Sequence, residues 1–533
     1  MWFNGSVEKY FINETGGHFM RHSEIPAVIQ SVENYKEAVN RVLRGEEDLL
    51  KIKPVMGGMG VYQQRVKGTF MLRVRIPSGV LKLEWFKSIY EIGKKVNIPR
   101  FHLTSRQDIQ YHGLTLEQTI EVMEELLAEG LVTTGGGGDN PRNIACSPLS
   151  GIEEGETFDV TPYALGCCDY IMSIIDTFHL PRKYKIAFAN TDADSTNASA
   201  TDLGFMAKLE DGEPTFKVFV GGGIGKNPKP GIVFKESVKP EEIIYIIQGL
   251  KELFEGLGDY SNRNLARIRF IVDRLGVEQF KVTLEDYVNK VKERETLILN
   301  TKPVVHNKQG KITSFTHDRL IPQKQEGLYT VKVQPFGGYL KLEEIGQIIE
   351  AVSKAPGANI RLTMEQSFYV TDLTGEEAER LIYETETIVV KGIMEKVVGC
   401  TGSNTCQIGL TPTEEVLHLV AERFKDVAKE EYAMLPTVHI SGCPSACTVP
   451  QLSKIGLYGG KKRVNDVACN AYALCINGTR GTHGAKLGEV VGLILLEDVP
   501  EFLYKLGCDL TASKVVLEKE VLIEAYNELF IKA

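Results

Sequence analysis

Four cysteines stand in two tight loops. Cys400 and Cys406 bracket the turn residues of "CTGSNTC", and Cys443 and Cys447 lie in "SGCPSAC", with Gly and Pro close by. A stretch that reads as a helix separates the loops. Four thiolates can hold a tetrahedral zinc ion or an iron–sulfur cluster. Zinc ligand pairs are usually about two to four residues apart, which suits Cys443-x3-Cys447 but leaves Cys400-x5-Cys406 wide. A cubane cluster is larger than one ion and accepts looser spacing. Spacing alone keeps both open, with unligated thiols a third reading. The ten cysteines of this 533-residue chain do not make a disulfide scaffold. Adjacent Cys167 and Cys168 could not easily bridge each other, and with Cys469, Cys475 and Cys508 they read as ordinary core or surface residues.

The elements that must position these loops repeat along the chain. "LKLEWFKSIYEI" at 81–92 resembles "LKLEEIGQIIEA" at 340–351, and "HLTSRQDIQYHGLT" at 102–115 resembles "RLTMEQSFYVTDLT" at 361–374. Both pairs hold one offset without a gap. Each copy reads as an alternating strand ("FMLRVRIP"; "YTVKVQPF"), a Gly turn, an amphipathic helix, a second strand and another helix. A compact α+β unit present twice predicts a pseudo-two-fold molecule with a shared central site. Longer Gly-rich α/β regions follow each copy, at roughly 135–300 and 395–533, and only the second carries the four cysteines. The polar segment 304–325 reads as a linker between halves.

Composition narrows the class. Lys+Arg 61 against Asp+Glu 70 gives a formal charge of -9, and no basic stripe suggests nucleic-acid binding. No apolar run is long enough to span a bilayer. The first residues, "MWFNGSVEKYFINETGG", lack the basic and apolar regions of a secretory signal, so the expected location is the cytoplasm.

The pattern C-x5-C then C-x3-C, with Thr-Gly after the first Cys and Gly-Cys-Pro at the third, resembles the siroheme-dependent sulfite and nitrite reductases. The likeness runs from about residue 60 to 530 and includes the tandem repeat. It implies that Cys400, Cys406, Cys443 and Cys447 bind a [4Fe–4S] cluster and that Cys447 also bridges to the siroheme iron. It implies an α+β fold in which each ferredoxin-like half-domain precedes a siroheme- and cluster-binding α/β domain. The expected division is an extension at 1–65, half-domains at 66–132 and 326–390, a siroheme and substrate domain at 133–303, the linker, and a cluster and siroheme domain at 391–533.

The same resemblance gives roles to first-half cations, which suit a small oxyanion and a macrocycle bearing eight carboxylates. Arg73 ("FMLRVR"), Arg142 ("DNPRN"), Lys183 and Lys185 ("LPRKYK") would surround the substrate. Arg106 and Gln110 ("LTSRQDIQYHG"), with Asn140 and Ser445, would contact the siroheme. A spacing of two puts both lysines on one face if they lie on a strand. Arg suits bidentate oxyanion contacts, while a crowded Lys can change protonation state and deliver protons. Ser445 stands where the family usually has Asn, and a hydroxyl cannot reproduce an amide's paired donor and acceptor.

Weaker signals are also present. "GGGG" at 135–138 and "GGGIGK" at 221–226 complete no phosphate-loop motif and read as close backbone approach to the macrocycle, or as plain turns. His112 reads as a core or carboxylate-contact histidine, and Cys146 and Tyr62 fall near the expected site. Lys185, as an additional fixed cation, favours dianionic sulfite over monoanionic nitrite, so six-electron reduction of sulfite to sulfide is the first expectation and reduction of nitrite to ammonia the alternative. A siroheme–cluster electron carrier without turnover is a third reading, disfavoured by the four retained cations. No flavin or nicotinamide fingerprint is present, so the electrons are expected from ferredoxin or another separate donor protein.

Overall fold

The computed structural model describes residues 21–304 and 306–531; the N-terminal residues examined for a signal lie outside the described residues. Alternation builds the first sheet. In Phe70–Val74, Phe70, Leu72 and Val74 are buried on one face while Met71 and Arg73 turn to the other. This strand pairs antiparallel with Val61–Gln63 and Ile109–Leu114, and the latter pairs with Arg100–Leu103. The second sheet repeats that order with Leu320–Pro322, Leu328–Val333, Phe368–Thr374 and Asn359–Leu362. The edge strands Val61–Gln63 and Leu320–Pro322 fall inside the segments expected to be extension and linker. Three-residue strands are too short to show periodicity.

The two sheets complete each other. Tyr339–Leu340, from the second copy, adds the fifth strand to the first sheet, and Val80–Leu81 adds the fifth to the second. One apolar core, including Leu72, Ile89 and Tyr111 with Val331, Ile348 and Val370, therefore spans both copies. The exchange turns on paired glycines. Gly79 and Gly338 have φ of 73° and 75°. A Cβ on Gly79 would lie 3.0 Å from the Leu362 carbonyl, and one on Gly338 would lie 3.0 Å from that of Leu103.

Gln107 locks this junction. Its buried amide donates to Leu362 O at 2.7 Å and Cys146 O at 2.8 Å, while its oxygen accepts from Cys146 N. Gln107→Ala leaves these buried backbone groups unpaired and should cost about 2–4 kcal/mol, read as a lower urea midpoint with an unchanged slope.

Two further sheets flank this centre and share one topology. In one, Ala145–Cys146, Ile186–Ala189 and Leu203–Glu210 run parallel, followed by antiparallel Glu213–Val220 and Ile232–Val238. In the other, Val397–Gly399, Val438–Ser441 and Ile455–Val464 run parallel, followed by antiparallel Val467–Ile476 and Glu489–Leu495. Helices Ile243–Leu257 and Val499–Thr511 follow in equivalent places. The loop after the second strand is equivalent in both, with a left-handed residue before a 3₁₀ turn, Asn197 in one and Val449 in the other. The second of these loops carries Cys443 and Cys447.

Candidate active site

Cys400 follows the strand Val397–Gly399 of the last sheet, just before the short helix Gly402–Thr405 that leads to Cys406. Helix Thr413–Phe424 starts against it, with Thr413 Oγ1 3.6 Å from Cys400 Sγ. Gly442 N donates to the same sulfur at 3.1 Å. Burial pushes the Cys400 thiol up, and these two donors oppose that rise. Cys447 is exposed at the surface of the cleft, yet the protein packed around it, then Cys400, Cys443 and Cys406, push its thiol up to about 12. The four cysteines therefore converge. Among the described residues, no group of three or more His, Cys, Asp or Glu is arranged to hold a single metal ion.

The first half supplies the facing cations. Lys183 stands opposite Cys447, where the amine draws the thiol downward. Burial, then Arg267 and Arg142, hold the Lys183 ammonium down at about 7. Tyr184 is buried between the two lysines, so Lys183 and Lys185 do share the outer side. They precede the strand Ile186–Ala189 rather than lying in it. Lys185 is pushed well below the ordinary lysine value by burial, Lys183, Arg106 and Arg267.

Arg73 and Arg142 are held by the "GGGG" loop. Arg73 donates to Gly136 O at 2.7 Å, and Arg142 donates to Gly137 O at 2.8 Å, Gly138 O at 2.7 Å and Asn140 O at 3.0 Å. The loop's glycines serve this close packing: a Cβ on Gly137 would lie 2.3 Å from the Tyr62 hydroxyl. That hydroxyl accepts from Gly138 N at 2.8 Å. Asn140 Nδ2 donates back to Gly137 O at 3.3 Å. Cys146 is buried, within reach of Thr161, and tied to Gln107.

Arg106 is buried and donates to Ile186 O at 2.7 Å, while its Nε has no partner. Burial lowers it to about 10. Gln110 is buried too. With its oxygen turned toward Arg73 it accepts from Nη2 at 2.8 Å, and its nitrogen lies 2.9 Å from His102 and 3.1 Å from His112. Its amide thus braces Arg73. His112 is a core histidine, desolvated well below its usual pKa. Ser445 is exposed, and its carbonyl lies against Gly225 of "GGGIGK". In the mirror position, Gly481 lies against Asp192 of the first half. Each half's glycine loop covers the other half's turn.

The sequence reading missed several charged groups here. Asp202 and Arg267 form a buried pair at 2.8 Å, and Asp202 also accepts from Lys185 N at 2.9 Å. Arg269 donates to the carbonyls of Gly223 and Lys226, fixing the "GGGIGK" loop. Arg75 donates to Pro141 O and Arg142 O. The spacing of two in Arg267-x-Arg269 matches that of the lysines and was the available signal.

Four convergent thiols facing crowded cations with few carboxylate partners fit a cluster beside a polyanionic macrocycle. Comparisons with known proteins agree. The nitrite/sulfite reductase ferredoxin-like half domain matches residues 62–129 and 321–386, and the nitrite and sulphite reductase 4Fe-4S domain matches 137–292. These matches end before the four cysteines. The ferredoxin–nitrite reductase of Synechococcus elongatus is 28% identical over 84% of this chain and 88% of its own length. The assimilatory ferredoxin-dependent nitrite reductase of Haloferax mediterranei is 26% identical over 83% of this chain and 79% of its own. The solved structure of the Mycobacterium tuberculosis NirA protein shares the fold, with a TM-score of 0.76 and 21% identity over 93% of this chain and 96% of that one.

The paired half-domains and flanking sheets define a two-half redox enzyme. The chain belongs to the siroheme- and [4Fe–4S]-dependent nitrite and sulfite reductase family, and siroheme and a [4Fe–4S] cluster are its cofactors. Among the described residues, no helix is long and apolar enough to cross a membrane.

Proposed function

We propose that this enzyme reduces nitrite to ammonia with electrons from ferredoxin. The sulfite expectation rested on Lys185 as a second fixed cation, and the state of that residue carries the choice. Buried, and crowded by Lys183, Arg106 and Arg267, its ammonium titrates well below the ordinary lysine range. Any shift of that ammonium toward the amine weakens the extra attraction it would give a dianion over a monoanion. The names of the relatives that span most of the chain support the same reading. The presence of a lysine at 185 keeps sulfite as the second reading.

Nitrite takes up six electrons and eight protons to give ammonium and two waters. When bound, the cluster and siroheme supply the electrons. Cys400, Cys406, Cys443 and Cys447 would hold the cluster, with Cys447 on the side that faces Lys183. Arg106, Asn140 and Ser445 would hold the macrocycle. Arg73, steadied by Gln110 and Gly136, and Arg142, steadied by the glycine carbonyls, fix the anion in a preorganised cationic wall. Lys183 holds a proton at Nζ that it can release near neutral pH.

The deciding experiment is steady-state turnover of both anions by anaerobically purified enzyme. Nitrite kcat/KM should exceed that for sulfite by at least ~10-fold, about 1.4 kcal/mol of transition-state preference. Lys185→Asn should leave nitrite within ~3-fold of wild type. Preferred sulfite turnover, abolished by Lys185→Asn, would restore the second reading. Arg106→Ala should lower siroheme retained per chain severalfold, whereas its repeat partner in Glu365→Ala, which sits 3.8 Å from Lys332, should leave retention unchanged. The visible spectrum of each purified variant measures this.

A further inference from the structure

Arg100, at the start of the strand Arg100–Leu103, reaches from the first half-domain to the segments that carry Cys400 and Cys406. Its guanidinium forks onto the Glu414 carboxylate, Nη1 donating to Oε1 at 2.8 Å and Nη2 to Oε2 at 3.3 Å. Nη2 also donates to Thr405 Oγ1 at 3.3 Å, one residue before Cys406. Glu414 in turn follows Thr413, whose hydroxyl lies 3.6 Å from Cys400 Sγ. The guanidinium centre stacks 3.8 Å from the centroid of the Tyr339 ring, which the exchanged strand brings from the second copy. Tyr339 lies within electrostatic reach of Cys400.

An ordinary surface ion pair has no such company. The Arg100 and Glu414 side chains are 31% and 23% exposed, and the fork, the hydroxyl and the ring together fix one geometry. The repeat partner of Arg100 is Asn359, whose amide turns to Asp372 of its own half-domain at 3.0 Å. The cation therefore stands in the copy that faces the cysteines. Arg65 also reaches this loop, with Nη2 3.4 Å from Cys406 O, but from the exposed side, where salt and water screen its charge.

We propose that Arg100 sets the reduction potential of the cluster, and that Glu414 holds the guanidinium in place and offsets part of its field. The inference rests on the four cysteines holding that cluster. Each electron accepted from the donor protein adds one negative charge there, and a fixed cation stabilises the reduced state. A unit charge about 10 Å away, at an effective dielectric of about 20, shifts a one-electron equilibrium by roughly tenfold. The Glu414 carboxylate acts with the opposite sign, so the pair poises the potential between two single-charge extremes.

The test is an anaerobic redox titration of the holoenzyme, followed by visible and electron paramagnetic resonance spectra, with iron counted per chain. Arg100→Gln should weaken reduction of the cluster about tenfold, a potential lower by ~59 mV for one electron. Glu414→Gln keeps the cation and should move the potential upward. Arg100→Lys keeps the charge without the fork and should stay within about threefold of wild type. The double variant, Arg100→Gln with Glu414→Gln, should also return to within about threefold, since both fields are gone. Full iron content with an unmoved potential in Arg100→Gln overturns the proposal and leaves the pair as a structural tie. So does a potential that falls equally in both single variants, which marks a loosened loop rather than a lost charge. Should Arg100→Gln lose iron, Glu414→Gln decides, and an unmoved or lower potential there overturns the proposal. A wild type that shows no [4Fe–4S] signal on reduction overturns the assignment of the cluster to these cysteines, and this inference with it.

Discussion

Cys406→Ser should purify with siroheme-type absorbance reduced, no cluster absorbance and turnover lower by at least ~100-fold. Cys406 follows the short helix Gly402–Thr405 and converges with Cys400, Cys443 and Cys447 across a helix and a strand. Binding a cluster ties those loops together and deprotonates thiols that burial has pushed upward, so cluster binding is part of folding. Its loss should lower the melting temperature of the second half by roughly 5–10 °C, the effect of a few kcal/mol in a domain of about 140 residues. Differential scanning calorimetry with iron analysis measures both. Full iron content in Cys406→Ser would remove Cys406 from the ligand set.

Lys183→Met should lower kcat for nitrite by about 10²–10⁴, the usual worth of a positioned proton donor. The pH dependence carries its sign. With the protonated amine as the proposed donor, titrating at about 7, wild-type kcat/KM should fall as pH rises through that value. Lys183→Met should lose this limb. Stability changes the other way. From about 7 up to the ordinary 10.5, an unfolded chain keeps a proton that native Lys183 has released, so native stability rises with pH across that window. Below both values the native state carries a buried charge, and the cost is fully present. Lys183→Met removes this slope, which urea titrations at several pH values measure.

Much of the centre was legible because the half-domains repeat residue by residue. Leu81 and Leu340, Leu103 and Leu362, and the capping residues Thr115 and Thr374 keep one register. The strand exchange was not legible, since Val80–Leu81 and Tyr339–Leu340 are two-residue strands whose partners lie in the other copy. The repeat of the flanking sheets was hidden for another reason. The turn "NTDADSTNASA" at 190–200 and the cysteine turn "GCPSACTVPQL" at 442–452 share only Thr196 and Thr448 in register. Backbone shape is kept there while the side chains have changed.

The site was legible at the cysteines, whose spacing is local. It was less so at the cations, whose company is set by the fold. Lys185 reads as a fixed charge in "LPRKYK", but its state depends on Arg267 and Arg106, both distant in sequence. Gln110 is given a siroheme contact by resemblance, and nothing in its own motif shows that the fold sets its amide between Arg73 and two histidines. "GGGG" reads as close backbone approach to the macrocycle or as a plain turn, and in the structure its carbonyls hold two guanidinium groups.

Electron and nitrogen accounting under anaerobic conditions tests the central claim most directly. Reduced ferredoxin is titrated into enzyme with nitrite or sulfite, and ammonium and sulfide are quantified. Six electrons should be consumed and one ammonium formed per nitrite, with sulfide forming from sulfite at least ~10-fold more slowly. Sulfide produced faster than ammonium, or nitrite consumed without ammonium, would contradict nitrite reduction at a site shared by the two halves.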